Sequence, residues 1–398
     1  MSVSQMVSRI EESITLAITA KAKAMKAKGI DVVGLSAGEP DFDTPDNIKQ
    51  AAIKAIQDGI TKYTPSAGVP ALREAIVEKF KKDNGLNYAQ EQIIVGSGAK
   101  HSVLIAILAT VNKGDEVIIP TPYWVSYPEM VKIADGKPVI VKTTGDSEYK
   151  ITAGQLQKAI TPRTRMLILN SPSNPSGMVY TREELTALVK VLKGKDIYVI
   201  SDEIYEKLLY DGAVHYSIAA LDQEVFQKTI TINGVSKSYS MTGWRIGYAA
   251  GPVDVVKAMN KLQSQEISNP CSISQMAAIE ALRGPQDSVA MMVKAFDERR
   301  RYLVDRLNSM DGVSCVKPLG AFYAFPDFSA HYGKKTAGGK TITGSVDLSN
   351  YLLEEKRVGV VPGAGFGSDA NLRISYATSM AAIQKALDRI EEGLKTLA

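Results

Sequence analysis

Short apolar runs alternate with segments of helical period over most of this chain. Between about residues 47 and 284, short apolar runs at 92–95, 116–119, 165–169, 197–200, 229–232 and 246–249 read as strands. Amphipathic stretches such as 181–192 separate most of them, which is the pattern of βαβ units in a largely parallel sheet. Farther on, an Arg-rich helical stretch at 287–310 leads into alternating segments at 313–316 and 321–325. A helix near 346–355, strands at 359–361 and 372–376 and a closing helix at 380–397 follow. The turn Gly38-Glu39-Pro40 separates the N-terminal segment from the sheet region, so that segment is expected to pack with the C-terminal elements. The expectation is an α/β fold with a large domain at 46–285 and a smaller α+β domain formed by 1–45 and 286–398. Ligands of such sheets bind in the loops at the C-terminal ends of the strands.

Composition narrows the function classes. A chain of 398 residues exceeds what one core usually supports, in keeping with two domains. Its 45% apolar and 23% charged content is ordinary for a globular protein, and no apolar run is long enough to span a bilayer. The N-terminal residues lack the pattern of a secretory signal, so a cytoplasmic location is expected. With 47 basic against 43 acidic residues the charge is near balance, and the lysines from Lys21 to Lys28 fit one solvated helix face. Nucleic-acid binding is not expected. Two cysteines, Cys271 and Cys315, and three scattered histidines give neither a disulfide framework nor a metal site.

Four segments carry chemistry. In Ser236-Lys237-Ser238-Tyr239-Ser240-Met241-Thr242-Gly243-Trp244-Arg245-Ile246-Gly247, one lysine follows an apolar strand among small neutral residues. Partial burial and the charge of Arg245 would lower its pKa and suit a Schiff-base amine, although a lone lysine after a strand is usually an exposed charge. In Val199-Ile200-Ser201-Asp202-Glu203-Ile204-Tyr205 an acid ends a buried strand. It either caps the next helix or meets a buried cation such as a protonated pyridine. Asn170-Ser171-Pro172-Ser173-Asn174-Pro175-Ser176-Gly177 is a constrained turn whose Asn side chains are free to donate. Gly96-Ser97-Gly98-Ala99-Lys100-His101 precedes a helix expected at 102–111 and offers backbone N–H groups to a phosphate. It fits neither a dinucleotide fingerprint nor a Walker loop.

Together these segments resemble the aspartate aminotransferase family, fold type I of the pyridoxal-phosphate enzymes, from about Ser13 to the C-terminus. The likeness is greatest to a bacterial subgroup carrying Leu-Ser-Ala-Gly-Glu-Pro-Asp-Phe, here at 35–42, and Tyr-Trp-Val-Ser-Tyr-Pro, here at 123–128. The resemblance implies pyridoxal 5'-phosphate as cofactor. By the same resemblance Lys237 forms the Schiff base and moves the substrate proton, Asp202 pairs with the ring nitrogen, and Asn174 and Tyr205 bond the ring hydroxyl. Trp124 stacks on the ring, while Ala99, Lys100, Ser236 and Arg245 surround the phosphate. Tyr63 reaches the phosphate of a neighbouring subunit, which implies a homodimer. Arg373 and the Gly38 N–H hold the substrate α-carboxylate, with Trp124 and Asn174 also at the substrate.

Lys100 corresponds to a lysine that recognises the distal carboxylate of aspartate or glutamate. Thr15, in Ser13-Ile14-Thr15-Leu16-Ala17, matches with Lys100 the pair found in members that transaminate prephenate. The implied reaction is amino transfer between L-aspartate or L-glutamate and 2-oxo acids, with ping-pong kinetics. Broader or aromatic specificity, a pyridoxal-phosphate C–S or C–C lyase, and a non-catalytic regulatory domain are the alternatives. One position departs from the family: Gly234 stands where several relatives have a serine near the phosphate.

Overall fold

The computed structural model describes residues 3–12 and 14–398, so Ser13, the first residue of the Thr15 motif, lies outside the described residues. Its strands are β1 (Val33–Gly34), β2 (Ile93–Gly96), β3 (Glu116–Pro120), β4 (Lys137–Val141), β5 (Thr164–Asn170) and β6 (Tyr198–Asp202). They continue with β7 (Thr229–Gly234), β8 (Gly247–Ala250), β9 (Tyr323–Ala324), β10 (Val358–Gly359), β11 (Val361–Pro362) and β12 (Leu372–Ser375). A seven-stranded sheet in the order β2-β8-β7-β6-β5-β3-β4 forms the centre. All its pairings are parallel except those of β8, which runs antiparallel to both β2 and β7.

Helices cover this sheet because its strands are apolar on both faces. Ile93, Ile94 and Val95 of β2 and Ile230 and Ile232 of β7 are all fully buried, as expected of a sheet sandwiched between helices. The helix Arg182–Leu192 shows how local sequence sets an element. Thr181 Oγ1 accepts from the Glu184 N–H and the Glu184 side chain accepts from the Thr181 N–H, a reciprocal cap. Leu185, Leu188, Val189 and Leu192 then recur at helical spacing and are buried.

The N-terminal and C-terminal segments pack together. β1 pairs in parallel with β10, and β9, β12 and β11 form a small antiparallel sheet. One apolar cluster joins Val33 and Leu35 to Phe296 and Leu303 of the helix Asp287–Asn308, to Ile374 of β12 and to Ile390 of the helix Met380–Lys395.

Several expectations need correction. The sheet has a strand that the apolar pattern did not mark, β4, which is half-exposed, begins Lys137-Pro138 and lies at the sheet edge, where proline is tolerated. Residues 313–316 form no strand, and Ser314 makes only an isolated bridge to Asp327. The run at 359–361 is split between β10 and β11, which belong to different sheets. The helix expected from 102 starts at Ala99, so Ala99, Lys100 and His101 form its first turn.

Behind the end of β6, an ionic network joins the helix Pro70–Asn84 to the turn at 203–206. Lys79, buried, pairs with Glu206, and Asn84 donates to Glu206 at 2.7 Å and to Glu203 at 3.2 Å. His215 lies 3.0 Å from Glu203. Buried charges of this kind persist only when paired and hydrogen-bonded.

Candidate active site

The C-terminal ends of the parallel strands open into a cavity of about 510 Å³. Asp202 is the last residue of β6 and Asn170 the last of β5, which brings a carboxylate and an amide to the same rim. Asn170 fastens three segments there. Its Nδ2 donates to the Asp202 carbonyl at 2.9 Å, and its Oδ1 accepts the Asn174 N–H at 2.7 Å. Lys237 enters from the turn after β7, with its ammonium donating to the Gly38 carbonyl at 2.6 Å.

Burial lowers the Lys237 amine to about 8, opposed by Glu39 and assisted by the charges of Arg373 and Arg245. Burial acts in the other direction on Asp202 and lifts its carboxyl to about 6, against hydrogen bonds from Tyr127 and the Ile204 N–H. A lysine and a carboxyl in one cavity are thus both drawn toward neutrality by burial, the kind of perturbation that clusters at functional sites.

Arg373 comes from β12 and is 2% exposed. Its Nη2 donates to the Ser36 carbonyl at 2.7 Å and its Nη1 to Asn174 Oδ1 at 3.1 Å, while Nε is buried without a partner among the described residues. The guanidinium also lies over the Tyr323 ring, 4.5 Å from its centroid. A planar fork with an unsatisfied buried donor is suited to a carboxylate. A Cβ at Gly38 would stand 3.3 Å from the Tyr323 hydroxyl, a tight contact that would press on that side chain.

At the opposite end, the helix Ala99–Thr110 starts beside the cavity with Gly98 as its cap at φ +88. A Cβ on Gly98 would collide with the Arg245 guanidinium, and one on Gly247 with the Ala99 backbone nitrogen. These glycines let two backbones and an arginine crowd around free N–H groups, a cradle for an anion. Arg245 adopts φ 56 and donates to the Thr242 carbonyl at 2.8 Å. Lys100 lines the same cavity, 5.2 Å from the Trp124 ring centroid, and its amine is lowered by burial and by Arg245.

Of the residues singled out in the sequence, Thr15, Gly38, Ala99, Lys100, Trp124, Asn174, Asp202, Tyr205, Ser236, Lys237, Arg245 and Arg373 all line this one cavity. The Thr15 hydroxyl there is buried with no partner among the described residues. Tyr63 does not line it and is 89% exposed. Gly234 has no room for a serine side chain without adjustment, because a Cβ would lie 3.0 Å from the Gly247 Cα.

Three further residues were not anticipated. Tyr323 bonds the Tyr205 hydroxyl at 2.9 Å and carries Arg373 on its ring. Asn170 ties the rim together. Tyr127 donates to Asp202 at 2.6 Å. Asn170 opens the constrained Asn-Pro turn and Tyr127 falls within the motif at 123–128, yet neither carried a role of its own in the sequence, and Tyr323 left no local signal.

The family model for aminotransferases of class I and II matches residues 30–390. This chain belongs to that family. It is 56% identical over 390 residues to an aspartate aminotransferase of Bacillus sp. strain YM-2, covering 98% of each chain. It is 51% identical to an aspartate/prephenate aminotransferase of Cereibacter sphaeroides, covering 98% of this chain and 97% of the relative. Among solved structures, an aspartate aminotransferase from Rhizobium meliloti superposes with a TM-score of 0.97 at 47% identity over the whole of both chains. The mostly parallel sheet between helices is the α/β architecture of fold type I, as expected.

Proposed function

We propose that this chain is a pyridoxal-phosphate-dependent aminotransferase that moves an amino group between L-aspartate or L-glutamate and 2-oxo acids, with prephenate as a further acceptor. The observation that carries the reading is the meeting of Lys237, Asp202 and Arg373 in one cavity, beside a glycine-lined helix N-terminus. These groups fit the cofactor: a low-pKa amine for its aldehyde, a buried carboxylate for its ring nitrogen, and an N–H cradle with Arg245 for its phosphate. When bound, the cofactor supplies a ring that takes up the electrons freed at the substrate's Cα.

The remaining work falls to the chain. Lys237, neutral for a useful fraction of the time, would take the substrate's Cα proton onto its Nζ and hold it as an ammonium until it is handed back. Arg373 holds the α-carboxylate through its unpartnered Nε and a neighbouring Nη, with the Gly38 N–H beside it. Asn174 uses Oδ1 on Arg373, which leaves its amide N–H₂ to donate, with the Tyr205 hydroxyl, to the ring hydroxyl. Trp124 covers the ring face, and Ser236, Ala99 and Lys100 complete the phosphate end. Lys100 also meets the distal carboxylate of an acidic substrate, and Thr15, with its free hydroxyl, flanks that end.

The reading includes a cytoplasmic homodimer in which Tyr63 serves the neighbouring site. Its high exposure, with Ile53 and Ile56 exposed on the preceding helix Asp46–Gln57, supports this. So does a second recess of about 990 Å³ that shares Lys100 and Arg245 with the cavity and is otherwise lined by residues such as Ile14, Tyr123 and Ile140. The division into a large domain at 46–285 and a small one from 1–45 and 286–398 belongs to the same reading.

Single-turnover absorbance tests it. Purified protein loaded with pyridoxal 5'-phosphate is mixed separately with L-aspartate, L-glutamate, L-alanine and L-phenylalanine. Fast conversion to pyridoxamine phosphate by the two acidic amino acids is expected, and amino transfer from glutamate to prephenate in the paired assay. A cofactor band that survives every amino acid would remove the aminotransferase reading.

A further inference from the structure

Asp202 needs more than burial to serve a ring nitrogen, because a carboxylate free to rotate, or protonated, makes a poor partner for a pyridinium. Its two oxygens are occupied unequally. Oδ1 accepts the Ile204 N–H at 3.3 Å, and Oδ2 accepts the Tyr127 hydroxyl at 2.6 Å. Tyr127 is 2% exposed, on the first turn of the helix Ser126–Ile133, and its N–H donates to the Trp124 carbonyl at 2.9 Å. Its ring meets Trp124 edge to face, with centroids 5.3 Å apart at 87°. One side chain therefore touches both the carboxylate and the indole that the proposed function assigns to the cofactor.

We propose that Tyr127 is the positioning residue of the site, holding the Asp202 carboxylate in one orientation for the cofactor's ring nitrogen and bracing Trp124 for its ring face. The proposal rests on the pyridoxal-phosphate reading. A hydroxyl donating to a charged oxygen makes one of the stronger hydrogen bonds available in an interior. With one donor on each oxygen the carboxylate is fixed in rotation, and each oxygen keeps a lone pair for a further donor. The groups that act on Asp202 are few. Burial raises its pKa, Tyr127 and the Ile204 N–H lower it, Glu203 raises it and Lys237 lowers it. Tyr205 also lies within its field. Tyr127 is itself raised well above the ordinary phenol range, by burial and then by Asp202, so it stays a donor throughout the working pH range.

The test is the pH dependence of cofactor affinity. The dissociation constant of pyridoxal 5'-phosphate is measured by absorbance from pH 5 to 9 (roughly the span over which a carboxyl raised by burial titrates), in the wild type and in Tyr127→Phe. Wild-type affinity is expected to fall as Asp202 protonates. In Tyr127→Phe the midpoint of that fall moves to higher pH and affinity at neutral pH drops about tenfold, the usual worth of one hydrogen bond to a charged group. Quenching of Trp124 fluorescence by the bound cofactor is retained, because the ring remains.

Site-specific 3-fluorotyrosine at position 127, a more acidic phenol of nearly the same shape, moves the midpoint down and guards against a folding defect in the first variant. Superimposable profiles, or weaker binding with an unmoved midpoint, overturn the proposal by reducing Tyr127 to packing. A wild type that binds no cofactor at one per chain overturns the cofactor reading itself, a result distinct from the other two.

Discussion

Arg373 stands over the ring of Tyr323 with Cζ 4.5 Å from the centroid, while the Tyr323 hydroxyl bonds that of Tyr205. The stack fixes the plane of the guanidinium, and the contacts to Ser36 and Asn174 fix its rotation within that plane. Such a fork is pre-organised for a carboxylate, and little side-chain entropy remains to be lost on binding.

Arg373→Lys keeps the charge and loses the fork. We expect KM for aspartate to rise roughly 10- to 100-fold, as for loss of a charge-assisted hydrogen bond. Cofactor affinity stays near its wild-type value. Steady-state kinetics beside a cofactor titration separates the two, and equal losses in both would place Arg373 in the cofactor's site and not the substrate's.

The Lys237 amine, held at about 8 by burial, predicts how the apoprotein captures pyridoxal phosphate. The capture rate should rise with pH, roughly tenfold per unit below the midpoint, and level off above it as the free amine saturates. Glu39 raises this amine, so Glu39→Gln should move the midpoint lower. Stopped-flow absorbance across the range is the measurement, and a midpoint near that of an ordinary lysine would contradict the buried-amine account.

Asp202 costs the apoprotein stability. Its folded carboxyl titrates near 6 against an ordinary 3.8, so the unfolded chain ionises first as pH rises. Stability is lost across that window, and the full cost, up to about 3 kcal/mol, is present above it. Asp202→Asn is therefore expected to raise the unfolding midpoint of the apoprotein at pH 8 and leave it nearly unchanged at pH 3 (approximate conditions above and below the titration window), while weakening cofactor binding. Denaturant unfolding at both pH values checks the sign; a variant less stable at the higher pH would contradict it.

Lys79 and Glu206 are both buried in the network behind β6, with Lys79 supplying the paired positive charge. Lys79→Met leaves a carboxylate uncompensated and should cost about 3–5 kcal/mol of stability. Adding Glu206→Leu should recover most of that loss. Chemical denaturation of the three proteins decides it, and a double variant as unstable as the single one would assign the cost to packing.

The sheet strands were legible because apolar runs buried on both faces need no tertiary context to be seen. The same argument explains what was missed. β4 is an edge strand with a proline at its second position and half-exposed residues, so neither composition nor alternation marks it. The start of the helix at Ala99 was hidden because Gly98 caps it through a backbone conformation, without the Ser, Thr or Asp side chain that usually marks a helix start. Lys237 and Asp202 stood out by residue type, one following an apolar strand and the other ending one, whereas Arg373 was reached only through the family resemblance. The roles of Tyr323 and Asn170 were hidden, because they depend on partners brought close by folding: Tyr205 is 118 positions from Tyr323, and Asp202 is 32 from Asn170.

The turn after β6 serves two sides of the protein at once. Asp202 and Tyr205 line the cavity, while Glu203 and Glu206 join Lys79, Asn84 and His215 in the ionic network. Both pairs are spaced by three, so the assignment of each side chain depends on the count of residues as much as on their identity. Loops ordinarily absorb insertions and deletions; this one has no such freedom, since removing a single residue would send a network acid toward the cavity and strand Lys79 without its partner. Variation in length among functional descendants of this sequence should therefore be absent between positions 202 and 206, even where individual side chains there are exchanged.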